Sequence, residues 1–162
     1  MPLIKDGQET ADDWQFAETF GALGDGKSVL PMGEFLANIA AISARNTAIG
    51  VRLMPEDDPS DLADHLEKIG LIEISFPKYT DGRGYSQAQL LRRRHGYSGE
   101  LRAVGHVLRD QILYMNRSGF DAYQTSRADL SDILEALREY SAFYQPAADG
   151  HRSVFARRHE KV

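Results

Sequence analysis

Short apolar runs alternate with capped helical segments over most of this chain, and this order constrains its fold more than any other feature. Four runs are predicted as strands: "AIGVRLM" (48–54), "LIEISF" (71–76), "LRAVG" (101–105) and "FDAYQ" (120–124). Apolar residues at helical spacing follow each run. Because short strand–helix connections give right-handed crossovers, the chain predicts an α/β fold. We expect a mainly parallel sheet of about four to five strands with alternating helices, open or half-barrel-like.

The helical segments carry start and stop signals. Asp58 opens the first segment, and Gly70 is expected to end it. Ser86 and Gln89 have the spacing of a capping box, which predicts that a second helix opens at Ser86. Gly119 is the expected stop of the third helix. These signals place the predicted loops between strands and helices.

The domain organisation follows from the same pattern. Residues 1–147 are predicted to form a single α/β domain, whose first 47 residues are less regular and include a short helix starting near Pro31. Residues 148–162 read as a basic C-terminal tail. A chain of 162 residues is long enough to bury a core without disulfides or metal.

Composition excludes several classes of function. The chain has no cysteine, which rules out disulfides, thiol catalysis and protein-held iron–sulfur clusters. No apolar run reaches the length of a membrane span, and we expect a cytoplasmic protein. The net charge of −5 argues against nucleic acid as a partner. The arginines are also not interleaved with aromatic residues, as they would be in a groove that stacks bases.

The charges are distributed unevenly along the sequence. Residues 55–81 hold eight acids against two lysines, whereas residues 83–117 hold seven arginines against two acids. One interpretation is a pair of oppositely charged, solvated faces. The other is an anion site, or two surfaces that meet in a partner.

The string "GALGDGKS" (21–28) has the spacing of a nucleotide-binding P-loop. That motif needs a buried strand before the glycines and a helix beginning at the Lys-Ser pair. The preceding "ADDWQFAETF" is acidic, and Pro31 indicates a helix start after the motif. We therefore interpret the string as a glycine-rich surface loop and do not expect a nucleotide there.

In open parallel sheets, ligands bind beyond the carboxyl ends of the strands. The richest loop at that position is "FPKYTDGRGYS", where a turn, two glycines and a predicted helix start favour a small oxyanion. An arginine fork suits sulfate, phosphate or carboxylate. The alternative is a tight turn with a helix cap, its arginine paired to a nearby acid. The anion-binding candidates are Arg83, Gly84, Tyr85, Ser86 and Arg109, and the further loop candidates are Lys78, Asp81, His106 and Arg127.

No other chemistry is assigned from residues alone. No histidine pair has metal-ligand spacing, and no motif for a flavin, nicotinamide or haem is present. The cofactor, the catalytic residues and the oligomeric state stay open, with a homo-oligomer among the alternatives.

Residues 74–123 carry the elements "FP", "DGRGYS", "GELRAVG", "VLRDQ" and "GFDAY". In this combination the chain resembles the bacterial domain of unknown function 934 family. That family is associated with assimilatory sulfate and sulfite reduction, and its members are labelled putative oxidoreductases. The resemblance implies a partner or accessory protein of sulfite reductase and favours the "DGRGYS" loop as the site. The alternative is an independent small-molecule enzyme of barrel-like ancestry that binds an anionic substrate.

Overall fold

The computed structural model describes residues 3–125 and 129–159. Within those ranges eight strands form one sheet: β1 (Leu3–Lys5), β2 (Gln8–Thr10), β3 (Gln15–Phe16), β4 (Ser28–Pro31), β5 (Ile49–Leu53), β6 (Ile69–Phe76), β7 (Glu100–Gly105) and β8 (Ala122–Thr125). The four strands expected from the sequence correspond to β5–β8, with ends shifted by one or two residues.

The strand order is β2-β1-β8-β7-β6-β5-β4-β3. Strands β3 to β8 are parallel, and β1 runs antiparallel to both β2 and β8. The predicted parallel α/β sheet is confirmed, but the expected count of four to five strands is too low. The first 47 residues supply four further strands, each only two to four residues long. Runs this short contain too few residues to show a period-two pattern.

The sheet is curled into a half-barrel. If flat, eight strands would place β2 and β3 about 34 Å apart, given the usual spacing between strands. Residues 11–14 connect these two edge strands directly. A connection of this length spans at most about 18 Å, so the edges must approach each other. Asp12 within it accepts bonds from Arg102 and Gln124, which lie on β7 and β8.

Helices α1 (Met32–Ala37), α2 (Ile39–Ser43), α3 (Arg83–Gln89), α4 (Arg109–Ser118) and α5 (Leu130–Arg138) contribute to the outer layer, and α6 (Val154–His159) lies in the C-terminal segment. Residues Pro59–Lys68 form a 3-10 helix, and β6 begins at Ile69, so Gly70 belongs to the strand and does not end the helix. The prediction for Gly119 is confirmed, since it ends α4 with a left-handed φ of 108°.

The core lies between the sheet and these helices. Alternate residues of β6 point into it, namely Ile72, Ile74 and Phe76. The residues between them, such as Glu73, face the concave side, where some charged side chains are buried. This division places polar chemistry on the inner face of the half-barrel and at the ends of its strands.

The described part of the C-terminal segment contacts the domain. Asp149 is ion-paired with Arg117 at 3.0 Å, and the N–H of Ala148 donates to the carbonyl of Arg117. A bridge joins Phe143 to Ser153. Among the described residues, no helix is long and apolar enough to cross a bilayer.

Candidate functional site

The loops after β5, β6 and β7 (54–58, 77–82 and 106–108) lie at one end of the parallel strands, here called the carboxyl edge. Two glutamines connect them. Gln87 donates to the carbonyls of Met54 and Asp57, each at 2.8 Å, and ties the β5 loop to α3. Gln111 donates to the carbonyl of Tyr79 at 2.7 Å and ties the β6 loop to α4. These bonds hold the β5 and β6 loops against the helices at the carboxyl edge.

Arg83 stands at the carboxyl edge in a bidentate ion pair with Asp81. Its Nε donates to Asp81 Oδ1 at 3.0 Å and its Nη2 to Oδ2 at 2.7 Å. The same carboxylate accepts the backbone N–H of Arg83, which opens α3. These bonds lower the pKa of Asp81 to about 2. The Arg83 side chain remains 59% exposed. The pairing foreseen in the turn-and-cap alternative is thus present, and it orients an accessible guanidinium.

Ser86 and Gly84 play different parts from those expected. Helix α3 begins at Arg83, so Ser86 lies inside the helix and does not open it. The expected start was wrong because the helix already begins at Arg83, whose backbone N–H donates to the Asp81 carboxylate. Gly84 lies against β6, where an added Cβ would come within 2.6 Å of the ring of Phe76 and 2.9 Å of Ile74. Its missing side chain lets α3 pack closely on the sheet.

The neighbouring candidates around this loop have mixed surroundings. Lys78 is exposed, and its carbonyl accepts the N–H of Asp81 at 3.1 Å. Tyr85 is half-buried and packs edge-on against Phe76, with ring centroids 5.7 Å apart. Burial raises the pKa of the Tyr85 hydroxyl. Lys78 can therefore meet a ligand from solvent, whereas Tyr85 mainly supports the helix.

The remaining candidates follow β7 and β8. His106 is exposed, and its backbone N–H donates to the carbonyl of Phe76 at 2.8 Å. Arg109 faces α5, with its guanidinium 3.8 Å from Glu135 and 3.7 Å from Glu139. Arg127 lies outside the described residues. The structure therefore groups Arg83, Asp81 and Lys78, and pairs Arg109 with α5.

The inner face carries an ion network that sequence reasoning missed. Arg102 is 1% exposed and its guanidinium meets Glu100 at 2.7 Å, Asp12 at 3.0 Å and Glu73 at 3.6 Å. Arg52 meets Glu73 at 2.7 Å. Burial alone would lower the pKa of Arg102, but Glu100 and Asp12 together raise it. Burial raises the pKa of Glu73, against the opposing effect of Arg52.

A signal for this network is present in the sequence. Arg52, Glu73 and Arg102 each interrupt an apolar strand, and the register places Arg52 opposite Glu73 and Glu73 opposite Arg102. Charges of alternating sign in neighbouring strands indicate a cross-strand ladder. The pairing is apparent only once the register is known.

The arginine run 83–117 does not form one basic surface. Five of its seven members form ion pairs with described residues: Arg83, Arg92, Arg102, Arg109 and Arg117. Arg92 also donates to the carbonyls of Tyr97, Gly99 and Gly119 at 2.7–2.9 Å. The run is thus divided between the carboxyl edge, the inner face and the opposite end of the strands.

The glycine-rich string has no P-loop geometry. Ser28 begins β4, and no helix starts at Lys27, as the sequence predicted. The Lys27 ammonium is 2.6 Å from the Asp13 carboxylate. Among residues 3–125 and 129–159, no three His, Asp or Glu side chains are grouped as metal ligands.

Fold and site together define the class as a mostly parallel α/β half-barrel that presents an oriented arginine at the carboxyl ends of its strands. Residues 50–155 match the family described as bacterial protein of unknown function (DUF934). Because this match covers most of the chain, the protein belongs to that family. The chain matches no curated protein.

Proposed function

We propose that this protein acts in assimilatory sulfate and sulfite reduction as an accessory partner of sulfite reductase, and that its carboxyl edge holds a small oxyanion such as sulfite. Family membership supports the pathway, through the association that the sequence resemblance implies. The geometry of Arg83 supports the ligand. The protein's part is to bind and present the anion, and no redox step is assigned to its own side chains.

The observation that carries the proposal is the orientation of Arg83. Asp81 engages Nε and Nη2, which leaves Nη1 and the exposed face of the guanidinium for a ligand. A pre-oriented arginine loses less rotamer freedom on binding than a mobile one. Lys78, in the same loop, adds a second cation within reach of solvent.

Charge at this edge also limits how tightly an anion can be held. Asp81 already neutralises Arg83, and Glu56 lies close enough to raise the pKa of the Arg83 guanidinium further. A doubly charged oxyanion at Arg83 would be repelled by the carboxylates of Asp81 and Glu56. We therefore expect modest affinity that falls as ionic strength rises, as suits a protein that passes a substrate on.

Gene deletion in the host tests the pathway. We expect slow growth on sulfate or sulfite as sole sulfur source, and normal growth on cysteine. Complementation with the wild-type gene should restore growth, and Arg83→Ala should not. Arg94→Ala is the matched control, because Arg94 is exposed and forms no ion pair with any described residue. Unimpaired growth of the deletion strain on sulfite would remove the assignment.

A second candidate is an independent enzyme acting on an anionic substrate. The half-barrel with its polar carboxyl edge favours it, since barrel-like α/β proteins carry their chemistry on that side. The deletion strain separates the two functions. An enzyme outside sulfur assimilation would leave growth on sulfite normal while the purified protein still bound an oxyanion through Arg83.

A further inference from the structure

A pocket of about 480 Å³ lies on the inner face, at the end of the strands opposite the carboxyl edge. Its floor includes Glu100 and Arg102 of β7, and its rim includes Asp13, Trp14 and Lys27. The volume is typical of sites for small molecules. The carboxyl edge contributes none of its lining residues, so this is a separate candidate site.

Every charge that lines this pocket is already compensated. Lys27 is paired with Asp13 at 2.6 Å, Lys5 with Glu100 at 2.8 Å, and Arg102 with Glu100 at 2.7 Å. A simple anion would meet the carboxylates of Asp13 and Glu100 and would have to break an ion pair without replacing both halves. A simple cation would meet Lys27 and Arg102 and would likewise have to break an ion pair without replacing both of its charges. A ligand that carries both charges can replace what it displaces.

The two ion pairs differ in accessibility. Lys27 and Asp13 are 47% and 61% exposed, whereas Glu100 and Arg102 are 7% and 1% exposed. The buried pair therefore forms a rigid, neutral floor, and the rim pair can rearrange around a ligand. Backbone hydrogen bonds from Gln15 to Lys27 and from Ala17 to Val29 anchor the rim segment to β4.

An apolar surface lies beside the rim pair. The Lys27 ammonium is 5.7 Å from the centroid of the Trp14 ring, and the edge of that ring packs over Gly70 of β6. Leu3 and Ala11 complete the apolar lining. An apolar side chain next to a charged head group would thus find an indole face within a few ångströms of Asp13 and Lys27.

We propose that this pocket binds a zwitterionic α-amino acid with an apolar side chain. The ligand's ammonium donates to Asp13, its carboxylate accepts from Lys27, and its side chain packs on Trp14. The four charges then form a quartet of alternating sign, in which no group is left uncompensated. This site is independent of the proposed oxyanion site, and the two proposals are tested separately.

Tryptophan fluorescence reports on this pocket directly, because Trp14 is the only tryptophan in the chain. The probe is L-leucine, titrated against the whole protein up to about 10 mM. Two analogues each lack one charge: 4-methylpentanoate has no ammonium and 3-methylbutylamine has no carboxylate. We expect a saturable change with leucine and at least about tenfold weaker responses to both analogues.

Variants of the rim locate the binding. Asp13→Asn and Lys27→Gln remove one charge each at exposed positions, and each should weaken leucine binding at least about tenfold without lowering the melting temperature. Arg94→Gln, at an exposed position outside the pocket, is the control and should bind leucine like wild type. No saturable response to leucine, equal binding of 4-methylpentanoate, or wild-type affinity in Asp13→Asn would each overturn the proposal. Sulfite titrations of the same samples show whether the oxyanion site fails or survives independently.

Discussion

Asp81 and Arg83 form the best-defined contact at the candidate site, and the pair has a titration signature. The guanidinium stabilises the ionised carboxyl and lowers its pKa from 3.8 to about 2. This pair stabilises the fold above the ordinary pKa of Asp81, and that contribution is lost as pH falls towards 2. Carboxyl-carbon NMR titration should give a pKa of about 2 for Asp81 in the wild type. In Arg83→Ala it should move back towards 3.8, and an unchanged value would show that the pair does not form.

Gly84 permits close packing between α3 and β6. In Gly84→Ala the new Cβ would stand 2.6 Å from Phe76, so the helix must shift. We expect a loss of about 1–3 kcal/mol in the free energy of unfolding, measured by urea denaturation. Gly33→Ala in α1 is the matched control, since its Cβ meets no atom within 4 Å. It should be neutral or stabilising by up to about 1 kcal/mol, and equal losses in both variants would contradict the packing argument.

One short element tests whether a paired arginine contributes more to stability than its exposed neighbours. This element contains Arg92, Arg93 and Arg94. They occupy the π-helical turn after α3, but within residues 3–125 and 129–159 only Arg92 is ion-paired, with Asp121 at 2.7 Å. Arg92→Ala would remove the donor to Oδ2 of that carboxylate and the Arg92 donors to three carbonyl groups. Its unfolding free energy should fall by about 2–4 kcal/mol.

The two neighbours serve as controls for that variant. Arg93 and Arg94 are exposed, and their replacement by alanine should change the free energy of unfolding by less than about 0.5 kcal/mol. Thermal and urea unfolding of the three proteins measures this order. Similar losses in all three would mean that the Arg92 contacts contribute little.

The elements show which features of the fold a sequence can reveal. Strands β5–β8 were predicted because each is an apolar run bounded by turn signals. The start of α3 was misplaced by three residues, because Ser86 has capping-box spacing, whereas the helix begins at Arg83, whose N–H donates to Asp81. Segment 59–68 has helical periodicity, but its 3-10 geometry is not distinguishable from that pattern.

At the scale of the whole molecule, the inner-face network connects elements that are distant in sequence. Arg102 joins β7 to β6 and to the 11–14 connection, through Glu73 and Asp12. Arg102→Ala would leave Glu73, already buried, with Arg52 as its one ion-pair partner in the part of the chain that the structure describes. We expect a loss of about 3–5 kcal/mol in unfolding free energy. Lys78→Ala is an exposed control, and a loss below about 1 kcal/mol in Arg102→Ala would contradict this role.

The same scale explains which part of the site was predictable. Strand–helix alternation implies parallel strands, and parallel strands bring their following loops to one edge, so the loop that carries Asp81 and Arg83 could be placed there in advance. The inner-face network could not be, because it depends on the register and on the curl that brings Asp12 over β7. Neither is encoded in a local pattern.

Calorimetric titration with sulfite tests the central claim, that Arg83 holds an oxyanion at the carboxyl edge. Wild-type protein should bind saturably, and Arg83→Lys should bind clearly less well, because it keeps the charge but loses the planar fork. Arg83→Ala should lose on the order of 1.5–3 kcal/mol of binding free energy while melting like wild type. The control Arg94→Ala should bind like wild type. Equal binding by wild type and Arg83→Ala, or collapse of the Arg83→Ala fold, would contradict the account and leave this loop as a turn and helix cap.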